Sequence, residues 1–133
     1  MPDTVEVVIE VPKGGFVKRG AHGHVDYVAP LPCPFNYGSV RGFISPDGDP
    51  LDAVLLGKRQ PLGAVVRVRQ WGHVDFVDAG QDDPKLVCTL EDPPTEAQWK
   101  RVVSFFRLYA RCKAVLNRLR MRRGPTWMRG TIR

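Results

Sequence analysis

The sequence predicts an α+β domain in which a small β-barrel or sandwich precedes one long amphipathic helix. Three observations carry this. Short β-rich runs set apart by Pro, Gly and Asp fill the first two thirds of the chain. The apolar spacing becomes helical after Pro93-Pro94, and Gly124-Pro125 then interrupt it. At 133 residues the chain is long enough for one real core but not two, so residues 1–133 are read as a single domain.

Val5-Glu6-Val7-Val8-Ile9-Glu10-Val11 is β-rich and bounded by Pro12 and Gly14-Gly15, so it reads as a strand that places Glu10 at its end. Further strands are expected at Val25–Val28, Ala53–Leu56, Val65–Trp71, His73–Val77 and Leu86–Leu90. Trp99, Val102, Val103, Phe106, Tyr109, Cys112, Leu116 and Leu119 then follow helical spacing, with Arg107, Arg111, Arg118 and Arg122 mostly opposite. The helix is expected over about 95–123. Thr95-Glu96-Ala97-Gln98 fits a capping box at its start, and the arginines from Arg118 to Arg123 suit the negative end of its dipole. The tail 124–133, with Trp127 and Ile132, could dock on the domain or fray.

Charge is divided sharply. All 14 acidic residues lie in 1–98 beside 9 Lys/Arg, giving −5, whereas 99–133 carry 11 Lys/Arg and no acid. A basic end of this kind suggests a polyanionic partner, while the acidic part is suited to cations. No apolar run approaches the roughly 18 residues of a membrane helix, and the acidic start Asp3-Thr4-Val5-Glu6 is no signal peptide, so a cytoplasmic protein is expected. Cys33, Cys88 and Cys112 are odd in number and widely spaced, which favours packed, reduced thiols over a disulfide framework or zinc knuckle.

The densest chemistry lies in Asp47-Gly48-Asp49-Pro50-Leu51-Asp52 and, about thirty positions later, Asp78-Ala79-Gly80-Gln81-Asp82-Asp83-Pro84-Lys85. By itself Asp-Gly-Asp is a polar turn. Two such clusters together can build a metal–phosphate site, because crowded carboxylates repel unless a cation lies among them. Hard oxygen ligands suit Mg²⁺ or Mn²⁺ better than Zn²⁺. Such a site can cleave a phosphoanhydride when the cations neutralise phosphate oxygens and acidify a water. Glu10, Asp47, Asp49, Asp52, Asp78 and Asp83 are the candidates on the metal side, and Lys18, Tyr37, Lys85 and Tyr109 on the phosphate side. An EF-hand is excluded by Leu51, Asp52 and Lys58 at ligand and glycine positions, and a P-loop by the missing Gly-Lys-Ser/Thr. His22 and His24 lack a third ligand nearby and read as loop residues; His73 reads as structural.

The segments Val7–Pro12, Pro34-Phe35-Asn36-Tyr37-Gly38, Asp47–Asp52, Asp78–Lys85 and Phe105-Phe106-Arg107-Leu108-Tyr109 resemble, in order and spacing, the family I soluble inorganic pyrophosphatases. The resemblance spans roughly residues 5–110. It implies a five-stranded OB-like β-barrel flanked by a long C-terminal amphipathic helix, and Mg²⁺-dependent hydrolysis of pyrophosphate, with Mn²⁺ a possible substitute. By the same resemblance Asp47, Asp52 and Asp83 hold the tight metals and Asp49 takes the proton of the attacking water. Asp78 and Glu10 support further metals, and Lys18, Tyr37, Lys85 and Tyr109 hold phosphate. Similar bacterial proteins form symmetric oligomers, which implies a homo-oligomer.

Four positions depart from the family pattern. Gly20 stands where an acidic residue is usual, Tyr27 where an arginine is, Cys33 where an aromatic is, and Ala110 where a lysine is. They fall mainly on the basic side that grips the leaving phosphate. Either neighbours such as Lys13, Arg19, Arg41 or Lys113 replace the missing cations, or the chain is a divergent member with low activity or an altered phosphate ester or anhydride substrate. A nucleic-acid-binding module built on the barrel and the basic helix is a third reading, disfavoured by the acidic barrel.

Overall fold

The computed structural model describes residues 1–15, 17–19, 25–28 and 32–133, the segments 17–19 and 25–28 by their backbone alone. In chain order the elements are β1 (Thr4–Val11), β2 (Val17–Arg19), β3 (Val25–Val28), β4 (Asn36–Ile44), β5 (Pro50–Leu55), β6 (Val65–Asp78), β7 (Gln81–Asp82), β8 (Lys85–Thr89), α1 (Glu96–Leu119) and β9 (Trp127–Ile132). β1, β4, β5, β8 and β6 pair in that order, and β6 returns to β1, closing a five-stranded barrel of the expected OB-like kind. Only β5 and β8 run parallel within the ring. β7 and β9 extend the sheet from β6, and β2 pairs with β3 as a separate hairpin.

Strand alternation sorts the apolar residues into two cores. Val5, Val7, Ile9, Val40, Ala53, Leu55, Val68, Leu86 and Cys88 form the cluster inside the barrel. Val54, Leu56, Val74, Phe76 and Val87, on the opposite faces of the same strands, form a second cluster with Phe35, Trp99, Val102, Phe106 and Ala110. This second core lies between barrel and helix, and it explains why β5 and β8 are buried on both faces. Two irregularities move side chains between the cores. The register of β1 against β4 shifts between Ile9 and Val11, so Val11 joins the helix-side cluster although Ile9 lies inside the barrel. Likewise β6 shifts register between Gln70 and Gly72, carrying Val68 inside and Val74 outside.

That shift also accounts for a difference from expectation: the separate strands predicted at Val65–Trp71 and His73–Val77 are one continuous β6. Gly72 marks the kink, where any Cβ would overlap the Ile132 carbonyl of β9. β4 was not foreseen at all, because Gly38, Gly42 and the charged Arg41 interrupt its apolar pattern.

The helix begins as predicted. The Thr95 hydroxyl accepts from the Gln98 backbone N–H at 3.1 Å, and the Gln98 side-chain Oε1 accepts from the Thr95 N–H at 2.8 Å. It ends earlier than the expected residue 123: Leu119 is its last residue, and Met121 takes a left-handed φ of 58°. The predicted inner stripe also turns aside over its last two turns. Leu119 is 77% exposed and Cys112 and Leu116 are half-buried, while Ala110 and Asn117 face inward. The tail docks as β9 on the outer edge of β6. Arg129 ties it to Asp75 at 2.8 Å and Asp82 at 2.9 Å, and Arg133 reaches Glu96 at 2.7 Å. Among the described residues no helix is long and apolar enough to cross a membrane.

Candidate active site

The helix-side face of the barrel changes character along its strands. From Leu56, just beyond β5, the row runs through Val54 into Asp52; in β8 Val87 continues into Lys85; and from Phe35, just before β4, the row continues into Tyr37. The apolar rows lie under the helix, and the polar ends emerge at one margin of the same face. Asn36, fully buried, fixes the start of β4 there. Its carbonyl oxygen accepts from the Lys13 and Gln60 N–H groups at 3.0 and 2.8 Å, and its amide donates to the Lys58 carbonyl at 2.8 Å.

Asp52 and Lys85 are register partners across the parallel β5–β8 pair. The Lys85 ammonium donates to Asp52 Oδ2 at 2.7 Å and to Asp83 Oδ2 at 2.8 Å. It is 2% exposed, and it lies 5.8 Å above the Tyr37 ring and 5.4 Å above the Phe76 ring. Burial works to lower its pKa, but Asp52 and Asp83 hold it well above the ordinary lysine range, so this cation keeps its charge. Burial raises the Asp83 pKa, with Lys85 pulling it down and Asp52 and Asp47 pushing it up. The Tyr37 hydroxyl is likewise raised, first by burial and then by Asp52, Tyr109 and Asp83; it remains protonated and hydrogen-bonds Asp52. Tyr109 projects from α1 into this group, its ring 5.5 Å from that of Phe76.

Asp78 is the last residue of β6. Its Oδ1 accepts from the Asn117 amide at 2.7 Å, and its Oδ2 is 3.4 Å from Arg122 Nη1. Tyr109, Lys113 and Asn117 are spaced four apart on α1 and so share one row. Lys113, between them, has its pKa lowered by burial, while Asp78 raises it and Arg122, Lys85 and Arg120 lower it further. The helix row thus bridges the Lys85 cluster and Asp78.

Tyr37, Asp52, Asp83, Lys85 and Tyr109 are thereby brought into one group, with Asp47 close enough to act on Asp83. Asp47 and Asp49 form a tight turn: the Asp49 N–H donates to Asp47 Oδ1 at 3.0 Å, and the Ser45 N–H to the Asp49 carbonyl at 2.7 Å. Asp49 is exposed at its tip. Glu10 is half-buried at the β1 irregularity. Lys18 lies outside the residues whose side chains are described, as do Gly20, Tyr27, His22 and His24. Ala110 is 4% exposed inside the helix-side core, so the position after Tyr109 faces the barrel and not the acidic margin. Sequence reasoning missed Asn117 and Thr126. A lone asparagine eight residues beyond Tyr109 on the inner row was the available signal.

The donors are carboxylate oxygens throughout, as a hard divalent cation requires. Among the described residues no three His, Cys, Asp or Glu side chains stand together in a metal-holding arrangement, and the Lys85 ammonium bridges Asp52 and Asp83 instead. The chemistry of the set fits a metal, with the lysine occupying part of the space between the donors.

Residues 7–120 match the family described as inorganic pyrophosphatase. An inorganic pyrophosphatase of Sulfolobus acidocaldarius is 34% identical over 99 residues, covering 68% of this chain and 57% of the relative. One of Gluconobacter oxydans is 33% identical over 100 residues, 69% of this chain and 58% of the relative. The chain thus spans less than two thirds of the length of these relatives. Among solved structures, the inorganic pyrophosphatase of Coxiella burnetii superposes with a TM-score of 0.77 at 25% identity, covering 98% of this chain and 86% of that one. That of Thermus thermophilus gives 0.76 at 25% identity, covering 98% and 82%.

Proposed function

The chain belongs to the inorganic pyrophosphatase family, and from that premise we propose that it hydrolyses pyrophosphate to two phosphates with Mg²⁺, for which Mn²⁺ can substitute. One observation supports this most: Asp52, from β5, and Asp83, from the connection between β7 and β8, converge on a buried Lys85 beside two tyrosines at the margin of the barrel. The residues divide into two sides. Asp47, Asp52, Asp83, Asp78 and Glu10 are the carboxylates that would hold divalent cations. Tyr37, Tyr109 and Lys85 offer hydrogen-bond donors that would bind and align phosphate oxygens, with Lys18 a further candidate. Asp49, exposed on its turn, is the carboxylate available to accept a proton from water. The bound cation, when present, neutralises phosphate oxygens and acidifies the attacking water. A homo-oligomer in the cytoplasm is the setting this reading implies.

The test is phosphate release from pyrophosphate with Mg²⁺, measured beside ATP and a simple phosphomonoester. Release from pyrophosphate well above the other two supports the reading. Comparable release from all three, or from the monoester alone, points to a relative of altered substrate.

A further inference from the structure

Asn117 is a polar side chain 3% exposed on an arginine-rich helix, and it is shared among three partners. Its amide nitrogen donates to Asp78 Oδ1 at 2.7 Å and to the Thr126 hydroxyl at 2.8 Å, and its carbonyl oxygen lies 3.4 Å from Arg122 Nη1. The same Thr126 hydroxyl accepts from the Ala79 N–H at 3.0 Å, and the Pro125 carbonyl accepts from the Gly80 N–H at 2.7 Å. The chain leaving the helix therefore folds back onto the turn that follows Asp78. Gly124 permits this: its φ is 97°, and a Cβ there would meet the Ala79 carbonyl carbon and oxygen at 2.7 and 2.6 Å. Both Asp78 oxygens face donors that lie beyond the acidic clusters in sequence, one in the last helical turns and one in the segment after them.

We infer that Asn117, backed by Thr126 and Arg122, is the positioning residue that aims the Asp78 carboxylate at the divalent cation, so that the C-terminal segment is part of the site. This rests on the metal-dependent reading above. Asn117 touches neither cation nor phosphate; it fixes the rotamer of a ligand, as outer partners of metal-binding carboxylates commonly do.

The experiment is calorimetric titration of the full chain with Mg²⁺ and with Mn²⁺, without substrate, alongside melting temperatures. Asn117→Leu is expected to weaken binding about 10-fold, and Arg122→Ala, on an exposed side chain, about 2- to 3-fold. In an Asp78→Asn background the Asn117→Leu change is expected to cost almost nothing further, because its effect travels through Asp78. A purely structural asparagine would cost the same in both backgrounds, and that result overturns the inference. Unchanged affinity in Asn117→Leu overturns it as well. If that variant does not fold, unchanged affinity in Arg122→Ala does so in its place. A wild type that binds neither cation removes the metal-dependent reading together with this inference, whereas metal binding by wild type with full coupling absent removes the inference alone.

Discussion

Lys85 and Asp52 meet at 2.7 Å because they are register partners on the parallel pair β5 and β8, and Asp83 closes on the same ammonium at 2.8 Å. The three side chains are nearly inaccessible, so the charges balance one another and not water. Lys85→Met is expected to cost about 3–5 kcal/mol, since it strands two buried carboxylates side by side. Their folded-state pKa values then rise, and a raised carboxyl contributes stability that is lost as pH increases. The melting-temperature gap to wild type should therefore widen from about pH 5 to pH 8. Added Mg²⁺ should narrow it by supplying the missing positive charge. A gap independent of pH and of Mg²⁺ would mean that the lost lysine mattered through packing alone.

The neighbouring acids should separate by role. Asp52, buried in β5, belongs to the charge cluster, whereas Asp49 sits exposed on a turn held by its own backbone hydrogen bonds. Asp52→Asn is expected to weaken Mg²⁺ binding strongly. Asp49→Asn should leave metal affinity and melting temperature near wild type and lower turnover about 10²–10⁴-fold. Wild-type turnover in Asp49→Asn, with metal bound, would eliminate that residue as the proton acceptor.

The cysteines differ by burial. Burial pushes the Cys33 thiol up to about 11 and the Cys88 thiol up to about 12, and both lie within cores. At pH 8 about one part in a thousand of Cys33 is thiolate, and less of Cys88. Cys112 is half-buried on α1. A thiol reagent at pH 8 is thus expected to label Cys112 in the native protein, and Cys33 and Cys88 only after denaturation. Equal rates at all three would contradict this packing.

The barrel strands β1, β5, β6 and β8, the helix start and the Asp52–Asp83–Lys85 group were legible because each depends on local signals: β-rich runs, a capping box, and acids too dense to be accidental. Asp78 was recognisable as an acid, but not its environment, because Asn117 is 39 residues away on α1, and Thr126 joins them only after the chain turns back at Gly124. The tail carries Trp127, Met128 and Ile132 without a regular apolar period, and its pairing with β6 depends on a neighbouring strand that spacing alone does not identify. The same limit governs Ala110. Read in one dimension the chain lacks a cation there, yet on the helix this position turns into the apolar core, so Ala110→Lys would press a charge into it and is expected to lower stability without restoring a phosphate contact.

The replacement cation expected from the helix geometry is Lys113, one turn beyond Tyr109 and one turn before Asn117. Burial lowers its pKa, Asp78 opposes this, and Arg122 and Lys85 add to the lowering, so it sits where the basic and acidic sides of the site meet. Because Lys85 is already neutralised by two carboxylates, a phosphate entering between the tyrosines needs a second positive charge. Lys113→Met is therefore expected to raise KM for pyrophosphate about 10-fold, with Mg²⁺ affinity unchanged and Lys113→Arg retaining most of the binding. Arg118→Ala, an exposed basic residue in the last turn, should behave as wild type and exclude a general effect of helix charge. A KM within about twofold of wild type in Lys113→Met would show that the phosphate draws its charge from elsewhere.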